Sequence, residues 1–507
     1  MKRTSKLKIK EFGDYQTPDE LASKIINLVQ KDKIQPATIV EPTCGLGAFI
    51  FATAKIFPDS QIIGRDINKA HIAHVQDQLK RDKFRNNIDI QTGDFFTLNW
   101  KFLISNYSEP YLIIGNPPWI TAAELSIINS KNIPKKFNIH HYSGLDAKMG
   151  RSNFDISEWM MLELLKSVKD TSTTFIQICK LSVARKVFKY CVDHQINVEK
   201  AFIFLIDSSY HFKANVEACV LYLQLIPGRF TSVCRIFETL DKNKLLHEIG
   251  VQDGRLIANM EYYQKWNHLH GKFPFEWRSG IKHDCVRVME FIKEAKHYIN
   301  GWKEEIEIES DYLYPMLKSS DLANNKTDRN RWMLLTQKHT GQNTSILKKT
   351  APKTWNYLLE KASYLDRRKS TIYARRPRFS IFGVGDYTFK PWKIAISGFY
   401  KNLEFLLVGP KEGKPVVLDD TCYFLSFNDY NLALLIHTLL NHPITNEYYR
   451  SYIFWDMKRP ISKQILMNLD LKKTLREIGY HYLLEALERK NPKFEEEKIP
   501  KTIKNLY

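Results

Sequence analysis

The segment IIGNPPWI, at residues 113–120, carries the residues best suited to chemistry. Its two consecutive prolines fix the backbone in an extended conformation and so hold the flanking groups rigidly. Asn116 offers a side-chain carbonyl, Pro117 a backbone carbonyl, and Trp119, after Pro118, a flat apolar face. This set suits a planar exocyclic amine that is held by two acceptors under a stacked aromatic ring. Because the two acceptors favour the pyramidal, nucleophilic form of the amine, they stabilise the transition state preferentially.

A glycine turn lies upstream, in the segment VEPTCGLGAF at residues 40–49. Gly45 and Gly47 let the backbone bend sharply and approach a ligand without side-chain interference. The turn lacks the third glycine of a dinucleotide fingerprint and fits a nucleoside-binding turn better. Asp66 follows about twenty residues later at the tip of the next strand-like run, where an acid can bind both ribose hydroxyls. A helix N-cap is the alternative role for Asp66.

A third candidate contact is the acid–aromatic pair in GDFF, Asp94 and Phe95. The acid can hydrogen-bond an adenine amino group, and the aromatic ring can cover the base. The motifs follow short apolar runs at 37–40, 61–64, 88–91 and 111–114, which alternate with helix-like stretches at 18–31, 46–57 and 68–83. Such alternation predicts a parallel sheet with helices on both faces and ligands beyond the carboxyl ends of its strands.

The same pattern continues with a helix at 156–169 and a strand at 174–179, and the runs 201–206 and 218–225 predict a closing hairpin. We therefore predict an α/β fold with a Rossmann-like domain over residues 1–240, whose mostly parallel sheet ends in an antiparallel hairpin. The polar segment DKNKLLHEIG, at 241–250, is predicted to be a linker. Residues 250–507 contain more Trp, Tyr and Arg without strand–helix alternation, which predicts a second domain of mixed α+β structure.

The order of these motifs resembles that of amino-group, S-adenosylmethionine-dependent DNA methyltransferases. It is similar to the adenine-N6 type with gamma-type order, in which the cofactor site comes first and the target-recognition domain last. The matched motifs span residues 12–225, nearly half of the chain. The resemblance implies a Rossmann-like catalytic domain, S-adenosylmethionine as cofactor and methyl transfer to N6 of a flipped-out adenine in double-stranded DNA.

The resemblance also implies roles for the cofactor residues. The segment DYQTPDELASKII places Thr17 and Pro18 near the methionine end of the cofactor, and Glu41 lies there too. Asp66 matches the ribose-binding acid. The remaining cofactor residues are the turn glycines and the adenine-binding pair, that is Gly45, Gly47, Asp94 and Phe95.

For the target base, the resemblance identifies a catalytic tetrapeptide formed by Asn116, Pro117, Pro118 and Trp119. The family more often has Tyr in the last position, and Trp keeps the stacking face but lacks the hydroxyl. Phe212 falls where the family carries a second aromatic residue that stacks on the flipped base. Asn153, in the stretch at 151–165, is a candidate polar contact.

A cluster of basic residues interleaved with aromatic residues marks the second half, at 366–400. Arg beside aromatic residues suits phosphate contacts and guanine readout, and a solvated basic face is the alternative. The predicted DNA-binding residues are Arg367, Arg368, Lys369, Arg375, Arg376 and Arg378.

The charge balance agrees with a polyanionic partner, because 75 Lys and Arg against 56 Asp and Glu give a net charge of +19. The seven cysteines are scattered without zinc-finger spacing, which predicts reduced thiols and no metal site. The basic first residues lead into no apolar core of a signal peptide, and no run of 18 apolar residues occurs. We expect a cytoplasmic protein without a membrane partner.

Several other functions fit parts of the sequence. Cytosine-C5 methylation needs a Pro-Cys nucleophile, which the sequence lacks. Cytosine-N4 methylation uses the same scaffold, commonly with Ser at the motif position held here by Asn116. Methylation of a protein glutamine amide and a non-catalytic DNA-specificity subunit are further alternatives. Any cognate restriction endonuclease is expected to be encoded separately.

Overall fold

The computed structural model of the protein describes residues 15–82, 84–120, 155–295 and 297–490. The chain divides into two compact units, Met1–Glu261 and Tyr262–Tyr507. The first unit thus extends beyond the segment predicted as a linker.

Strands and helices alternate through the first unit. Its helices are α1 (Asp19–Lys31), α2 (Ala48–Ile56), α3 (Lys69–Arg81), α4 (Trp100–Ser105), α5 (Ile156–Ser167), α6 (Leu181–Asp193) and α7 (Ser208–Phe212). Its strands are β1 (Thr38–Glu41), β2 (Gln61–Asp66), β3 (Ile88–Thr92), β4 (Tyr111–Gly115), β5 (Thr173–Lys180), β6 (Val198–Ile206), β7 (Ala218–Leu225), β8 (Val233–Phe237), β9 (Leu245–Gln252) and β10 (Arg255–Ile257).

These strands form one sheet among the described residues, in the order β10-β9-β8-β6-β7-β5-β4-β1-β2-β3. The strands β1 to β5 pair in parallel, whereas β7 runs antiparallel between β5 and β6. The predicted α/β fold, with its parallel sheet and antiparallel hairpin, is confirmed. The same sheet also contains β8, β9 and β10 beyond β6, and these three strands were not predicted from the sequence.

The segment 241–250 shows why the extension was missed. Instead of forming a linker, its second half enters β9, which pairs with β8 and β10. Ile249 and Val251 are buried, whereas Leu245 and Leu246 are exposed. Burial along β9 runs from exposed through half-buried to buried instead of alternating, so the segment carries no period of two that a sequence pattern could reveal.

The register of the central strands aligns their carboxyl ends. Val40 of β1 pairs with Ile63 of β2 on one side and with Ile113 of β4 on the other. The chain leaves β1 towards β2 and β3, and it then returns to the other side of β1 at β4. Since the connections diverge between β1 and β4, a ligand crevice is expected beyond these two strand ends.

The second unit has mixed α+β structure, as predicted. Helix α8 (Met260–Trp266) lies at the boundary between the units. The strands are β11 (Arg278–Ser279), β12 (Glu290–Glu294), β13 (His297–Ile299), β14 (Glu305–Ile306), β15 (Leu313–Leu317), β16 (Arg331–Leu334), β17 (Trp392–Ser397), β18 (Leu406–Val408), β19 (Val417–Leu418) and β20 (Cys422–Phe427).

Within the described residues the strands of this unit form a four-stranded sheet, β11-β20-β17-β18, and a six-stranded sheet, β14-β13-β12-β16-β15-β19. The helices are α9 (Val286–Met289), α10 (Ser319–Ala323), α11 (Leu347–Thr350), α12 (Pro352–Glu360), α13 (Ala362–Asp366), α14 (Asp386–Phe389), α15 (Tyr430–Leu440), α16 (Pro443–Arg450), α17 (Lys463–Leu466), α18 (Leu471–Ile478) and α19 (Tyr480–Lys490). In the described part of either unit, no helix has the length and apolarity needed to cross a membrane.

Candidate active site

The glycine turn after β1 is held by hydrogen bonds from two directions. Gly45 and Gly47 have φ angles of +50° and +86°, a region that glycine adopts without the steric cost of a Cβ. The Gly45 amide donates to Oδ2 of Asp66 at 2.9 Å, and the Leu46 amide donates to Oε1 of Gln16 at 2.9 Å. A Cβ added at Gly45 would lie 2.6 Å from that same oxygen of Gln16. A larger residue at Gly45 would therefore strain the backbone and displace the Gln16 side chain from the Leu46 amide.

Asp66 lies at the end of β2 and faces the glycine turn. Its second carboxylate oxygen, Oδ1, accepts from the Asn68 amide at 2.8 Å. Each carboxylate oxygen has two lone pairs, so Asp66 keeps capacity for two further donors, such as a pair of hydroxyls. The N-cap of α3 is Asn68, whose side chain accepts from the Ala70 amide, and the capping role is thus filled without Asp66.

Glu41, the last residue of β1, is a buried carboxylate at the same edge. It is 3% exposed, and the backbone amide of Ile50 donates to it. Its Oε2 atom has no hydrogen-bond partner among the described residues. Burial, together with the charge of Asp66, raises the pKa of Glu41 well above its ordinary value. A cationic donor bound here would satisfy the free oxygen and favour the ionised form.

Asp94 and Phe95, the acid–aromatic pair after β3, differ in their surroundings. Asp94 is half-buried, and its Oδ1 accepts from the Phe96 amide at 3.0 Å. Phe95 is buried, and its ring lies 4.9 Å from Trp100 and 6.0 Å from Trp159, between ring centroids. Much of the Phe95 surface therefore packs against other aromatic rings, which leaves less of it for a ligand than the sequence suggested.

The side chain of Asn116, directly after β4, has a defined orientation. Its Nδ2 donates to the backbone carbonyl of Tyr15 at 2.9 Å and to Oγ1 of Thr17 at 3.3 Å. Its Oδ1 is buried without a hydrogen-bond partner among the described residues. Because the amide nitrogen is held on one side, the carbonyl oxygen on the other side is an oriented acceptor. Thr17, which precedes the N-cap Pro18 of α1, thus contacts the motif predicted to be catalytic.

Three aromatic rings form a corner beside Asn116. The ring centroids of Trp119 and Phe212 are 5.0 Å apart at an interplanar angle of 69°, and Tyr15 lies 5.6 Å from Trp119. The Trp119 indole donates from Nε1 to the backbone carbonyl of Ile178 at 3.3 Å. Two rings in edge-to-face contact leave no slot between them, so a base that stacks on one ring meets the edge of the other.

Two residues of this site were missed from the sequence. Tyr15, in the segment DYQTP, contacts the motif through both its backbone carbonyl and its ring, and no sequence pattern predicted this role. Gln177 of β5 is 2% exposed, and its Nε2 has no hydrogen-bond partner among the described residues. A polar residue inside the apolar run FIQIC was the available signal. Asn153, by contrast, lies outside the described residues.

The six basic residues predicted to bind DNA form two groups, one packed within the second unit and one exposed to solvent. Arg368 donates to the backbone carbonyls of Leu365 at 2.9 Å, Ser380 at 2.7 Å and His283 at 3.2 Å. Its guanidinium also lies 3.7 Å from the ring centroid of Tyr373. These contacts assign Arg368 to the packing of the unit. The sequence-based expectation that it binds DNA is therefore revised.

The other five residues of the cluster are exposed, namely Arg367, Lys369, Arg375, Arg376 and Arg378. Arg378 pairs with Asp366, with a shortest nitrogen–oxygen distance of 2.7 Å. Arg376 lies 5.7 Å from the ring centroid of Phe382. The exposed members present positive charge to solvent, as phosphate-contacting residues would.

Comparison with known proteins extends along nearly the whole chain. The type II methyltransferase M.NspV of Nostoc sp. (strain ATCC 29411 / PCC 7524) is 42% identical over 468 residues, which cover 91% of this chain and 96% of that protein. The chain belongs to the type II methyltransferases. A second member, M.CvrRI of Paramecium bursaria Chlorella virus XZ-6E, is 34% identical over 121 residues, or 24% of this chain and 28% of its own length. No family model matches the sequence.

Among solved structures, the type IIL restriction-modification enzyme MmeI in complex with DNA resembles this methyltransferase in fold. The match covers 100% of this chain and 73% of MmeI, with a TM-score of 0.54 and 10% sequence identity. At that identity the likeness concerns the fold alone.

As a member of this family, the methyltransferase uses S-adenosylmethionine, and the residues present fit that cofactor. The unpaired Oε2 of Glu41 suits an ammonium group, and Asp66 has free acceptor capacity for hydroxyls. The left-handed turn at Gly45 and Gly47 brings backbone close to the same edge. Among the described residues, no cluster of His, Cys, Asp or Glu could hold a metal ion.

Proposed function

We propose that this type II methyltransferase methylates N6 of adenine within a specific sequence of double-stranded DNA. The observation that carries the proposal is the Oδ1 atom of Asn116, a buried acceptor without a partner among the described residues, held in place beside the Trp119 ring. An exocyclic amine supplies the hydrogen that this oxygen needs. The amine of a base becomes available once the base has left the stack, at a cost of about a few kcal/mol.

In the proposed reaction the chain positions the amine and polarises it. Oδ1 of Asn116 and the carbonyl of Pro117 accept its two hydrogens, which directs the nitrogen lone pair away from the ring system. Trp119 would stack on the base and Phe212 would meet its edge, and the base would have to displace the packing that leaves these rings 6% and 7% exposed. Bound S-adenosylmethionine would supply the electrophilic methyl group and would leave as S-adenosylhomocysteine, and the methylated amine would release one proton to solvent. Positioning of this kind contributes much of the rate enhancement of a bimolecular transfer.

The cofactor residues act at the neighbouring strand ends. We infer that Asp66 accepts from the ribose hydroxyls, that Asp94 binds the adenine amine and that Glu41 pairs with the ammonium group. Gly45 and Gly47 allow the close backbone approach. Thr17 and Pro18 sit at the start of α1, where Thr17 contacts Asn116 directly, so they connect the cofactor region to the reacting base.

For DNA binding, the proposal assigns phosphate and base contacts to the exposed basic residues of the second unit, that is Arg367, Lys369, Arg375, Arg376 and Arg378. The net charge of +19 supports strong electrostatic attraction to a polyanion. The biological role that follows is protection of host DNA from a separately encoded cognate endonuclease.

The test is methylation profiling by single-molecule sequencing of DNA from a methylase-free host that expresses the chain. N6-methyladenine within one short motif is the expected result. The matched control is Asn116→Ala, which should abolish methylation while the affinity for S-adenosylmethionine, measured by calorimetry, stays near that of the wild type. N4-methylcytosine instead would overturn the adenine assignment, and no modified base in DNA would overturn the proposed substrate.

A further inference from the structure

Gln16 lies between the two residues that hold the Asn116 side chain. Its chain neighbours, Tyr15 and Thr17, accept from Nδ2 of Asn116 through a backbone carbonyl at 2.9 Å and a hydroxyl at 3.3 Å. The Gln16 side chain instead reaches the glycine turn, where its Oε1 accepts from the Leu46 amide at 2.9 Å. Three consecutive residues therefore contact both the turn after β1 and the amide side chain after β4.

The contact between Gln16 and the glycine turn is close. A Cβ built on Gly45 would lie 2.6 Å from Oε1 and 3.1 Å from Nε2 of Gln16, so the side-chain amide rests directly against the glycine backbone. The preceding amide of the turn, that of Gly45, donates to Asp66 at 2.9 Å. Two adjacent backbone amides of the turn are thus held by two side chains, one from β2 and one from the segment 15–17.

The backbone of this segment explains why its side chains diverge. Residues 15–18 have no regular secondary structure, and Pro18 is extended, with φ −63° and ψ 140°. A proline also disfavours helical backbone in the residue before it, which here is Thr17. Because neighbouring side chains of an extended segment point to opposite sides, Gln16 faces the turn while Thr17 faces Asn116. A displacement of the segment at Gln16 would therefore also move the partners of Asn116.

We propose that Gln16 is a positioning residue for Asn116. By accepting from the Leu46 amide, its Oε1 fixes the segment to the glycine turn at a point between the Tyr15 carbonyl and the Thr17 hydroxyl. These two acceptors then keep the nitrogen of the Asn116 amide on one side and its oxygen on the other. The effect on the rate of methyl transfer rests on the proposed function, whereas the effect on the Asn116 amide does not depend on it.

The kinetic test compares Gln16→Met, which keeps the length of the side chain but removes the acceptor, with Gln16→Glu, which keeps an acceptor oxygen. The value of kcat is measured at saturating S-adenosylmethionine on duplex DNA with the motif that methylation profiling identifies. We expect kcat to fall roughly tenfold in Gln16→Met, the cost of about one hydrogen bond, and to recover most of its value in Gln16→Glu. Gln30→Met, at an exposed position of α1, is the matched control and should leave kcat unchanged.

A double-mutant cycle with Thr17→Val tests whether Gln16 acts through the partners of Asn116. Once the segment has lost its anchor at the turn, removal of the Thr17 hydroxyl should cost little more. We therefore expect the double variant Gln16→Met/Thr17→Val to have a kcat within about threefold of the slower single variant, since the two changes are coupled. A loss equal to the product of the two single losses would contradict the inference.

A spectroscopic measurement tests the Asn116 amide without DNA. In protein labelled with 15N-asparagine, the side-chain NMR signal of Asn116 is identified by its absence from Asn116→Ala. We expect this signal to shift in Gln16→Met, because the hydrogen bonds from Nδ2 change, and to stay near its wild-type position in Gln16→Glu and Gln30→Met. Denaturant unfolding checks that each variant is folded, and Gln16→Ala is measured in parallel in case Gln16→Met does not fold.

The inference would be overturned by an unchanged kcat in Gln16→Met, by equal losses in Gln16→Met and Gln16→Glu, or by an unshifted Asn116 signal. A weaker affinity for S-adenosylmethionine at unchanged kcat would likewise overturn it and make Gln16 a cofactor contact alone. If the Asn116 signal shifts as expected but the wild type methylates no DNA, the proposed function fails and the positioning role of Gln16 stands.

Discussion

The amide of Asn116 shows at the scale of one residue how a site is oriented before its substrate binds. An amide can point either its oxygen or its nitrogen towards a ligand. Here the Tyr15 carbonyl and the Thr17 hydroxyl hold the nitrogen, so the oxygen is the acceptor. In the proposed reaction, such preorganisation would remove the need for Asn116 to reorient.

Thr17 is consequently predicted to act as a positioning residue for Asn116. Thr17→Val removes the hydroxyl but keeps the shape of the side chain. We expect kcat to fall roughly tenfold, the cost of about one hydrogen bond, with the affinity for S-adenosylmethionine nearly unchanged. Thr17→Ser, which restores the hydroxyl, should recover most of the rate. A weaker affinity at unchanged kcat would indicate a cofactor contact alone.

The raised pKa of Glu41 predicts that the free energy of unfolding depends on pH. Its folded-state pKa is raised, so the folded protein binds a proton that the unfolded chain has released above about pH 4.5. Stability from this group is therefore complete below that pH and is lost as the pH rises towards the folded pKa. In cofactor-free protein, Glu41→Gln should increase the free energy of unfolding at pH 8 by about 1–3 kcal/mol, with little effect at pH 4. Denaturant unfolding at both pH values measures this, and an equal effect at both would contradict it.

At the scale of elements, local sequence signals predicted the central strands of the first unit better than the elements that follow them. The glycine turn and the apolar strand runs carry their own signals, so β1 to β5 and the residues at their ends were predictable. The role of Arg368 depends on carbonyls of residues 283 and 380, which no local pattern reveals.

Strand β17 contains a second buried group with a pH-dependent effect. Lys393 is 1% exposed, and its Nζ donates to the Lys390 carbonyl at 2.8 Å. Burial lowers the pKa of Lys393 to about 7, so the folded state disfavours its protonated form. Stability from this group is full above the unfolded pKa of 10.5 and is lost as the pH falls towards 7.

Replacing Lys393 by Met should therefore stabilise the second unit near neutral pH. We expect a gain on the order of 2 kcal/mol at pH 7 that becomes small above pH 10. Thermal unfolding of the full chain at pH 7 and pH 10 tests this expectation. Lys390→Met, in the adjoining loop, serves as the control for loss of a charge alone, and a gain of equal size at both pH values would refute the assignment.

At the scale of the whole molecule, the positive charge predicts a salt-dependent association with DNA. The double variant Arg367→Ala/Lys369→Ala should reduce the slope of log affinity against log salt by about two and leave the stability of the protein unchanged. Arg368→Ala, between them, should instead lower the free energy of unfolding by about 1–3 kcal/mol because three carbonyls lose a donor. Salt titrations of DNA binding and denaturant unfolding separate the two effects. If Arg367→Ala/Lys369→Ala lowered the free energy of unfolding, it would contradict the assignment of these two exposed residues to DNA contacts rather than to packing.

The two acceptors proposed at Asn116 and Pro117 also have a consequence for turnover. An unmodified adenine amine has two hydrogens and satisfies both acceptors, whereas a singly methylated amine has one. After transfer one buried acceptor is left without a donor, at a cost of about 1–3 kcal/mol. Under the proposed function, the site would consequently hold its product less tightly than its substrate. This difference favours release of the modified strand and opposes a second methylation of the same nitrogen.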